Sequence, residues 1–145
     1  MPTYFTLQEL LKSDTAKRKG IDNTPSFEVV DHLRELTEKI LDPLRVAWGK
    51  PIRVSSGYRC PKLNAAVKGS DTSVHMIGYA ADLQTSGGFN KFRDFVVEWF
   101  RSTYTKFDQL LLERDTKTGA QWIHVGLYNN AGRQRGIVKV MEVNK

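Results

Sequence analysis

The chain has 145 residues, of which 40% are hydrophobic and 26% charged, and this composition is typical of a globular protein with a core of its own. No apolar run approaches the roughly 20 residues that a membrane-spanning helix needs. The N-terminus also lacks the basic start and the apolar stretch of a signal peptide. We therefore expect one domain over residues 1–145, made in the cytoplasm and without a membrane span.

The net charge of +6 attracts polyanions, of which nucleic acids and acidic cell-wall polymers are two classes. The basic residues are scattered, however, and Lys17–Lys19 form the only run of three. The chain thus lacks the dense basic stripe of a specific nucleic-acid-binding surface, and we expect no specific nucleic-acid partner. The single cysteine, Cys60, excludes an internal disulfide and a cysteine-rich zinc site.

In chain order, the first predicted elements are two short helical turns within residues 5–20. Thr6 and Glu9 have the spacing of a capping box, in which a threonine side chain accepts a hydrogen bond at the start of a helix. Gly20 predicts the end of the second turn, because glycine readily adopts the left-handed conformation that ends many helices.

A longer amphipathic pattern over residues 27–48 predicts the main helix. Its apolar residues recur at helical spacing, and Ser26 is expected to cap its start. Pro43 lies inside the pattern and is expected to kink or divide the helix. His32 lies on the same helix, where we expect a structural role for it rather than metal binding.

The remainder of the chain is richer in strand patterns. The predicted strands are residues 78–84, 107–113, 122–127 and 136–143, preceded by a short strand within residues 52–59 that runs into a turn at Gly57. The predicted helices are residues 60–67 and 90–102. Gly119 lies in the loop of a predicted hairpin between the third and fourth strands. Helices come mainly first and strands mainly last, which predicts an α+β domain with N-terminal helices packed on a small, mainly antiparallel sheet.

Two histidines and one aspartate form a candidate set of metal ligands. His75 and Asp82 flank a turn in "SVHMIGYAADL", and His124 lies in the middle of the predicted strand "WIHVGL". Two imidazoles and one carboxylate suit Zn²⁺ and leave a fourth position for water, as in catalytic zinc sites. Spacing alone leaves a second interpretation open, in which His124 packs within its strand and Asp82 caps a turn.

A longer motif surrounds the first two of these residues. It has the form Ser-x-His-x-x-Gly-x-Ala-x-Asp, with Ser73, His75, Gly78, Ala80 and Asp82 in place. The motif resembles that of the zinc D-alanyl-D-alanine carboxypeptidases, the M15 peptidases, which share a fold with the Hedgehog signalling domain. "VSSGYR" resembles a further segment of that family and "WIHVGL" resembles its last metal-ligand strand. The likeness spans residues 5–127 and looks like the short phage and bacterial branch.

The resemblance implies a Hedgehog/DD-peptidase-like fold and one zinc ion with three ligands: His75, Asp82 and His124. It also implies that Arg59 points into the site and stabilises the charge that develops on the scissile carbonyl oxygen. Ser73 and Gln121 are expected to lie just outside the ligands, where hydrogen bonds orient a metal site.

The chain departs from the family pattern three residues before the last histidine. Many relatives have an acid at that position, where this chain has Gln121, and glutamine cannot shuttle a proton. Glu113 is the preferred substitute, because it ends a strand that is expected to pair with the strand of His124. Two registers are open, with Glu113 opposite Gln121 or opposite Trp122, and only the second places it on the face of His124.

Together these features predict a zinc metallopeptidase that hydrolyses amide bonds in peptidoglycan stem peptides, as a D-Ala-D-Ala carboxypeptidase or a murein endopeptidase. We expect a monomer of phage or prophage origin that reaches the wall by holin-type release or as a virion or exported protein. One rival hypothesis is a zinc-containing binding module, impaired by Gln121, that recognises a cell-wall peptide or a protein partner. The other is a nucleic-acid-binding protein that uses its net charge.

Overall fold

A computed structural model describes residues 3–144, over which five strands form one mixed sheet. The strands are β1 (Arg53–Ser56), β2 (Ala80–Gln84), β3 (Gln109–Asp115), β4 (Gln121–Gly126) and β5 (Ile137–Val143). They lie in the order β1-β2-β4-β3-β5. Neighbouring strands are antiparallel except β3 and β5, which run parallel, so the predicted mainly antiparallel sheet is confirmed.

Six α-helices precede or connect these strands within the same residues. They are α1 (Leu7–Leu11), α2 (Asp14–Lys19), α3 (Phe27–Leu36), α4 (Asp42–Trp48), α5 (Pro61–Ala66) and α6 (Phe89–Thr103). The Thr6 hydroxyl accepts a hydrogen bond from the Glu9 N–H at 3.1 Å, and the Ser26 hydroxyl accepts one from the Val29 N–H at 3.2 Å. Gly20 ends α2 in the left-handed conformation, with φ of 65°. The predicted starts and end of these helices are therefore confirmed.

Helices α3 and α4 form one continuous helical stretch that contains Pro43. A π-helical turn over Thr37–Leu41 joins them, and the Asp42 N–H donates to the Thr37 carbonyl. Proline has no N–H to donate and its ring crowds the preceding turn, so a locally wider turn accommodates it. The expected interruption at Pro43 is thus a change in hydrogen-bonding pattern and not a break between two helices.

The sheet has an apolar face that the helices cover and a polar face that they leave accessible. Side chains alternate along each strand. Residues fully buried on the apolar face are Leu83, Leu110, Ile123 and Val125, and the helices contribute Leu33, Leu36, Leu44, Phe92 and Val96 to the same core. The intervening positions of the central strands carry Asp82, His124 and Glu113. Helix packing therefore stabilises one face and leaves the other for a functional site.

The distribution of elements confirms the predicted α+β class, since most helices lie in the first half of the chain and most strands in the second. Within residues 3–144, none of the helices combines the length and the apolar character that crossing a membrane requires.

Candidate metal centre

Three buried side chains meet on the polar face of the sheet: His75, Asp82 and His124. One potential ligand atom from each lies within 4.8 Å of the other two. The Asp82 Oδ1 atom is 3.2 Å from His75 Nε2 and 3.1 Å from His124 Nδ1. The structure thus brings together the three residues expected to bind zinc, although His124 lies 42 positions beyond Asp82 along the chain.

Strand pairing and a short helix position these side chains. Asp82 on β2 lies directly opposite His124 on β4, so the two side chains share one face of the sheet. His75 lies in a 3-10 helix that precedes β2 and ends at Gly78. Gly78 has φ of +83°, and a Cβ atom there would lie 2.9 Å from the Val29 carbonyl oxygen. Glycine therefore allows the chain to turn tightly against α3 and enter β2 with His75 beside Asp82.

The tautomer of His75 indicates that a cation suits the cluster. Its Nδ1 atom is 2.7 Å from the carbonyl oxygen of Gly57, and a carbonyl can only accept, so Nδ1 carries a hydrogen. In the neutral ring, Nε2 then presents a lone pair to the Asp82 carboxylate. Protonation of Nε2 is opposed because burial lowers the pKa of His75, although Asp82 acts against this effect. The lone pair of Nε2 and the negative Asp82 oxygen repel each other, and a cation bound between these two atoms would remove that repulsion.

The donor set and its spacing fit zinc in particular. Two imidazole nitrogens and one carboxylate oxygen are common zinc ligands, and bond lengths near 2 Å in a tetrahedral site separate neighbouring ligand atoms by about 3.3 Å. The contacts of Asp82 with the two histidines, 3.2 and 3.1 Å, are close to that separation. The Gly57 carbonyl orients His75 from behind, as outer partners of zinc-binding histidines commonly do. The residues therefore fit a zinc ion with a fourth position open.

The charged groups in and around the cluster favour one another's ionised forms. Burial raises the pKa of the Asp82 carboxyl, but positive charge at His75 and His124, whether from a proton or from a cation bound between them, outweighs burial and holds this pKa well below its ordinary value. Burial lowers the pKa of Arg59, and the carboxylates of Asp82 and Glu113 oppose that shift. A guanidinium stays protonated in proteins, so a fixed positive charge lies near the anionic ligand.

Ser73 connects Arg59 to the 3-10 helix that contains His75. Its hydroxyl lies 3.2 Å from Arg59 Nη2 and 3.3 Å from the backbone nitrogen of His75, and it accepts from both. The backbone N–H of Arg59 also donates to the His75 carbonyl at 3.1 Å. The guanidinium Nε is buried and has no hydrogen-bond partner within the described part of the chain. Ser73 thus holds one nitrogen of the guanidinium, while the buried Nε of Arg59 remains without a partner among the same residues.

The register of the β3–β4 hairpin places Glu113 on the side of the cluster. Glu113 lies opposite Trp122, and Leu111 lies opposite His124. Glu113 is therefore a diagonal neighbour of His124 on the same face, a relation that long side chains can span. The Trp122 indole Nε1 donates to the Glu113 carboxylate at 2.5 Å and so fixes its orientation. Of the two registers that the sequence left open, the structure has the one that brings Glu113 to the site.

The structure corrects the expectation for Gln121. This residue lies three positions before His124 on β4, and an odd separation along a strand places two side chains on opposite faces. Gln121 lines a different pocket, together with Arg53 and Gln84, and its carbonyl accepts a hydrogen bond from the Gln84 amide at 3.1 Å. Gln121 consequently does not line the cleft of His75, Asp82 and His124.

The metal centre opens into a cleft of about 670 Å³. Its walls include all three ligands together with Arg59, Ser73 and Glu113. Gly57 and Trp122 support the site through hydrogen bonds to His75 and Glu113, and the sequence predicted no functional role for either residue. Trp122 had a usable signal, because it precedes His124 by two positions and therefore shares its face. Gly57 had none, because its contribution is a backbone carbonyl.

The third histidine, His32, takes no part in the cluster. Its ring stacks on Tyr79 with centroids 4.0 Å apart, and its Nδ1 atom is 2.6 Å from the Ile77 carbonyl oxygen. These contacts join α3 to the segment that carries His75, which agrees with the expected structural role.

Comparison with protein-family models places the chain in a known family. The model of peptidase M15 matches residues 3–125, which include the three ligands, Arg59 and Glu113 but not β5. A comparison with curated proteins gives no significant match. Members of the matched family are zinc-dependent peptidases, in agreement with the buried His75–Asp82–His124 cluster. The resemblance inferred from the motif is thereby confirmed, and the chain belongs to the peptidase M15 family.

Proposed function

We propose that the protein is a zinc peptidase that hydrolyses an amide bond in the stem peptides of peptidoglycan. The observation that carries the proposal is a single cleft in which a buried ligand cluster, the Glu113 carboxylate and the Arg59 guanidinium all face the same space. This combination supplies a metal site, a proton acceptor and an anion stabiliser, which are the groups that metal-assisted amide hydrolysis needs.

The three candidate ligands, Glu113 and Arg59 have distinct roles in the proposed reaction. A zinc ion held by His75, Asp82 and His124 would polarise the scissile carbonyl and lower the pKa of water. Glu113 accepts a proton from the attacking water and passes it to the leaving amine. Arg59 donates hydrogen bonds to the oxygen that becomes negative as the carbonyl carbon turns tetrahedral.

The choice of peptidoglycan as substrate rests on three supporting features. The motif resembles that of carboxypeptidases that act on D-alanyl-D-alanine. The cleft is open to solvent and, at about 670 Å³, has the size of sites that bind small ligands or short peptides. The net charge of +6 favours association with an anionic wall. We propose that the protein binds this substrate as a monomer.

The binding-module hypothesis is the second candidate, and the position of Glu113 argues against it. That hypothesis required the absence of a carboxylate near the metal site, because Gln121 is not an acid. Glu113 lines the cleft on the face of His124, and Trp122 orients it. The presence of this carboxylate in the cleft therefore favours the enzyme over the binding module.

The proposal is tested with purified, zinc-loaded protein on isolated peptidoglycan, with released amines and fragments identified by mass spectrometry. Glu113→Gln keeps the shape of the side chain and removes the proton acceptor, so we expect the cleavage rate to fall by at least about 100-fold. Gln121→Ala is the matched control on the opposite face of the sheet and should leave the rate unchanged.

Zinc content measured on each variant separates the outcomes. Cleavage by the wild type that is lost in Glu113→Gln, with zinc retained, supports the enzyme and its general base. If the wild type binds zinc but cleaves no wall material, the hydrolase proposal is wrong and the binding module replaces it. A Glu113→Gln variant with full activity would remove Glu113 from the mechanism.

A further inference from the structure

The edge strand β5 forms one wall of the cleft, although it lies beyond the residues that match the family model. Its pairing with β3 sets Lys139 opposite Leu111, which in turn lies opposite His124. Asp82, His124, Leu111 and Lys139 therefore form a row across the polar face of the sheet. This row connects the metal ligands directly to a lysine at the edge of the sheet.

Lys139 differs from the other two cationic residues that line the cleft. Arg59 is held by the Ser73 hydroxyl. Arg135 makes two side-chain hydrogen bonds to the Asp108 carboxylate, at 2.7 and 2.9 Å. Lys139 takes part in no ion pair with any residue between 3 and 144, and its side chain is exposed. Its charge is thus available to an anion that enters the cleft.

The row between the metal ligands and Lys139 contains one residue, the apolar Leu111, which has Gln109 and Glu113 on either side of it on the same face of β3. Leu111 is nearly buried, at 8% exposure, and forms the floor, while Met141 on β5 is 36% exposed and lies opposite Glu113. A ligand that crosses this surface would place an apolar portion over Leu111 and an anionic group at Lys139. Such an arrangement suits a peptide that carries a carboxylate at one end of an aliphatic segment.

Strand spacing sets the distance between the two ends of the row. His124 and Lys139 are separated by two strand intervals, or about 10 Å between their Cα atoms. An extended peptide advances about 3.3 Å per residue, so the same distance corresponds to about three residues of substrate.

We propose that Lys139 determines substrate specificity by binding a carboxylate of the peptide, up to about three residues from the scissile bond. The inference rests on the proposed function, because it assigns part of the substrate to the same cleft. The carboxylate can be the free C-terminus or an acidic group within the stem peptide, and the two sources share the chemistry that Lys139 recognises.

The test uses zinc-loaded full-length protein and the pentapeptide L-Ala-γ-D-Glu-L-Lys-D-Ala-D-Ala in three forms. The first has all carboxylates free, the second has the α-carboxyl of its glutamate amidated, and the third has its C-terminus amidated. Lys139→Met removes the charge and keeps most of the side-chain length. Lys91→Met on α6, which lies outside the cleft, is the matched control.

For Lys139→Met we expect KM to rise about five- to tenfold on the free peptide, with kcat within about twofold of wild type, because a charge-assisted hydrogen bond is lost in binding. One of the two amidations should raise KM of the wild type by a similar factor and leave Lys139→Met unaffected. The amidation that does so identifies the carboxylate. The proposal is overturned if Lys139→Met and Lys91→Met behave alike on all three peptides.

A binding measurement separates this proposal from the proposed function. If the wild type cleaves none of the peptides, calorimetric titration of the zinc-loaded protein gives Kd for the same three forms. A loss of affinity in Lys139→Met that the critical amidation reproduces would uphold the carboxylate site while the hydrolase proposal fails. Equal Kd values for Lys139→Met and Lys91→Met, or no binding to any form, would overturn the site.

Discussion

On β4, Ile123 and Val125 point into the helix-covered core, whereas Trp122 and His124 point to the side of the cleft. The first pair is fully buried among apolar side chains, and the second pair contacts two carboxylates, those of Glu113 and Asp82. Because neighbouring side chains alternate, one short strand contributes to stability on one face and to chemistry on the other. Substitutions at adjacent positions should therefore separate the two properties.

The largest effect is expected for His124→Ala on the cleft face. Removal of a zinc ligand should weaken zinc binding by more than about 100-fold, since even the loss of an outer hydrogen-bond partner costs 10- to 100-fold. Peptidase activity should fall below detection, while the far-UV circular dichroism of the metal-free protein stays that of wild type. Competition with a chromogenic chelator measures the affinity, and unchanged zinc affinity would remove His124 from the ligand set.

The substitution Ile123→Ala, at the position next to His124, should affect stability and leave zinc binding unchanged. Truncation of a fully buried isoleucine leaves a cavity and is expected to lower the free energy of unfolding by about 2–5 kcal/mol. Urea denaturation of the metal-free protein measures the change, with Val138→Ala on the exposed edge strand as a control that should shift it by less than about 0.5 kcal/mol. Zinc affinity of the folded Ile123→Ala protein should match wild type, and a loss as large as that of His124→Ala would contradict the separation of the two faces.

Trp122→Phe should have a smaller effect, confined to activity. It removes the indole hydrogen bond that orients the Glu113 carboxylate and retains an aromatic ring. We expect kcat to fall about tenfold, because a hydrogen bond to a charged group contributes on the order of 1.5 kcal/mol. Zinc content should not change, and Trp99→Phe on the half-buried side of α6 is the control. If kcat matches that of the control variant, orientation by Trp122 does not matter to the reaction.

The smallest effect is expected at the ion pair between Asp108 and Arg135, which lies just before the start of β5. Burial raises the pKa of Asp108, but the hydrogen bonds from Arg135 outweigh it, so this pKa lies below its ordinary value. A carboxyl whose pKa is depressed on folding contributes stability above its unfolded pKa, near 3.9, and that contribution disappears as the pH falls through the folded pKa.

Asp108→Asn is therefore expected to lower the free energy of unfolding by about 1 kcal/mol at pH 7. The difference between wild type and variant should stay constant down to about pH 5 and shrink at lower pH. Urea denaturation of both metal-free proteins between pH 7 and pH 3 measures this difference, in which the titration of the metal ligands largely cancels. A difference that grows on acidification would contradict the assigned sign.

Local signals in the sequence were sufficient for most elements, and a resemblance to a family motif supplied the candidate ligands. Thr6, Ser26 and Gly20 act within a single turn of helix, so the same residues cap or end the helices in the folded chain. The alternating patterns of the hairpin strands likewise depend on neighbours two positions apart. The candidate ligands His75 and Asp82 could be proposed because a compact motif carries them.

Long-range packing decided the features that give the site its chemistry. The register of β3 against β4 placed Glu113 at the cleft, and the same alternation turned Gln121 to the other face. A shift of one residue in this pairing would turn Glu113 to the face of Gln121, and only the burial of the whole apolar face selects between the registers. Parallel pairing of β5 with β3, which no local pattern specifies, brought Lys139 into line with the metal ligands. The sequence by itself therefore determined which groups the protein has, and the tertiary structure determined which of them face one another.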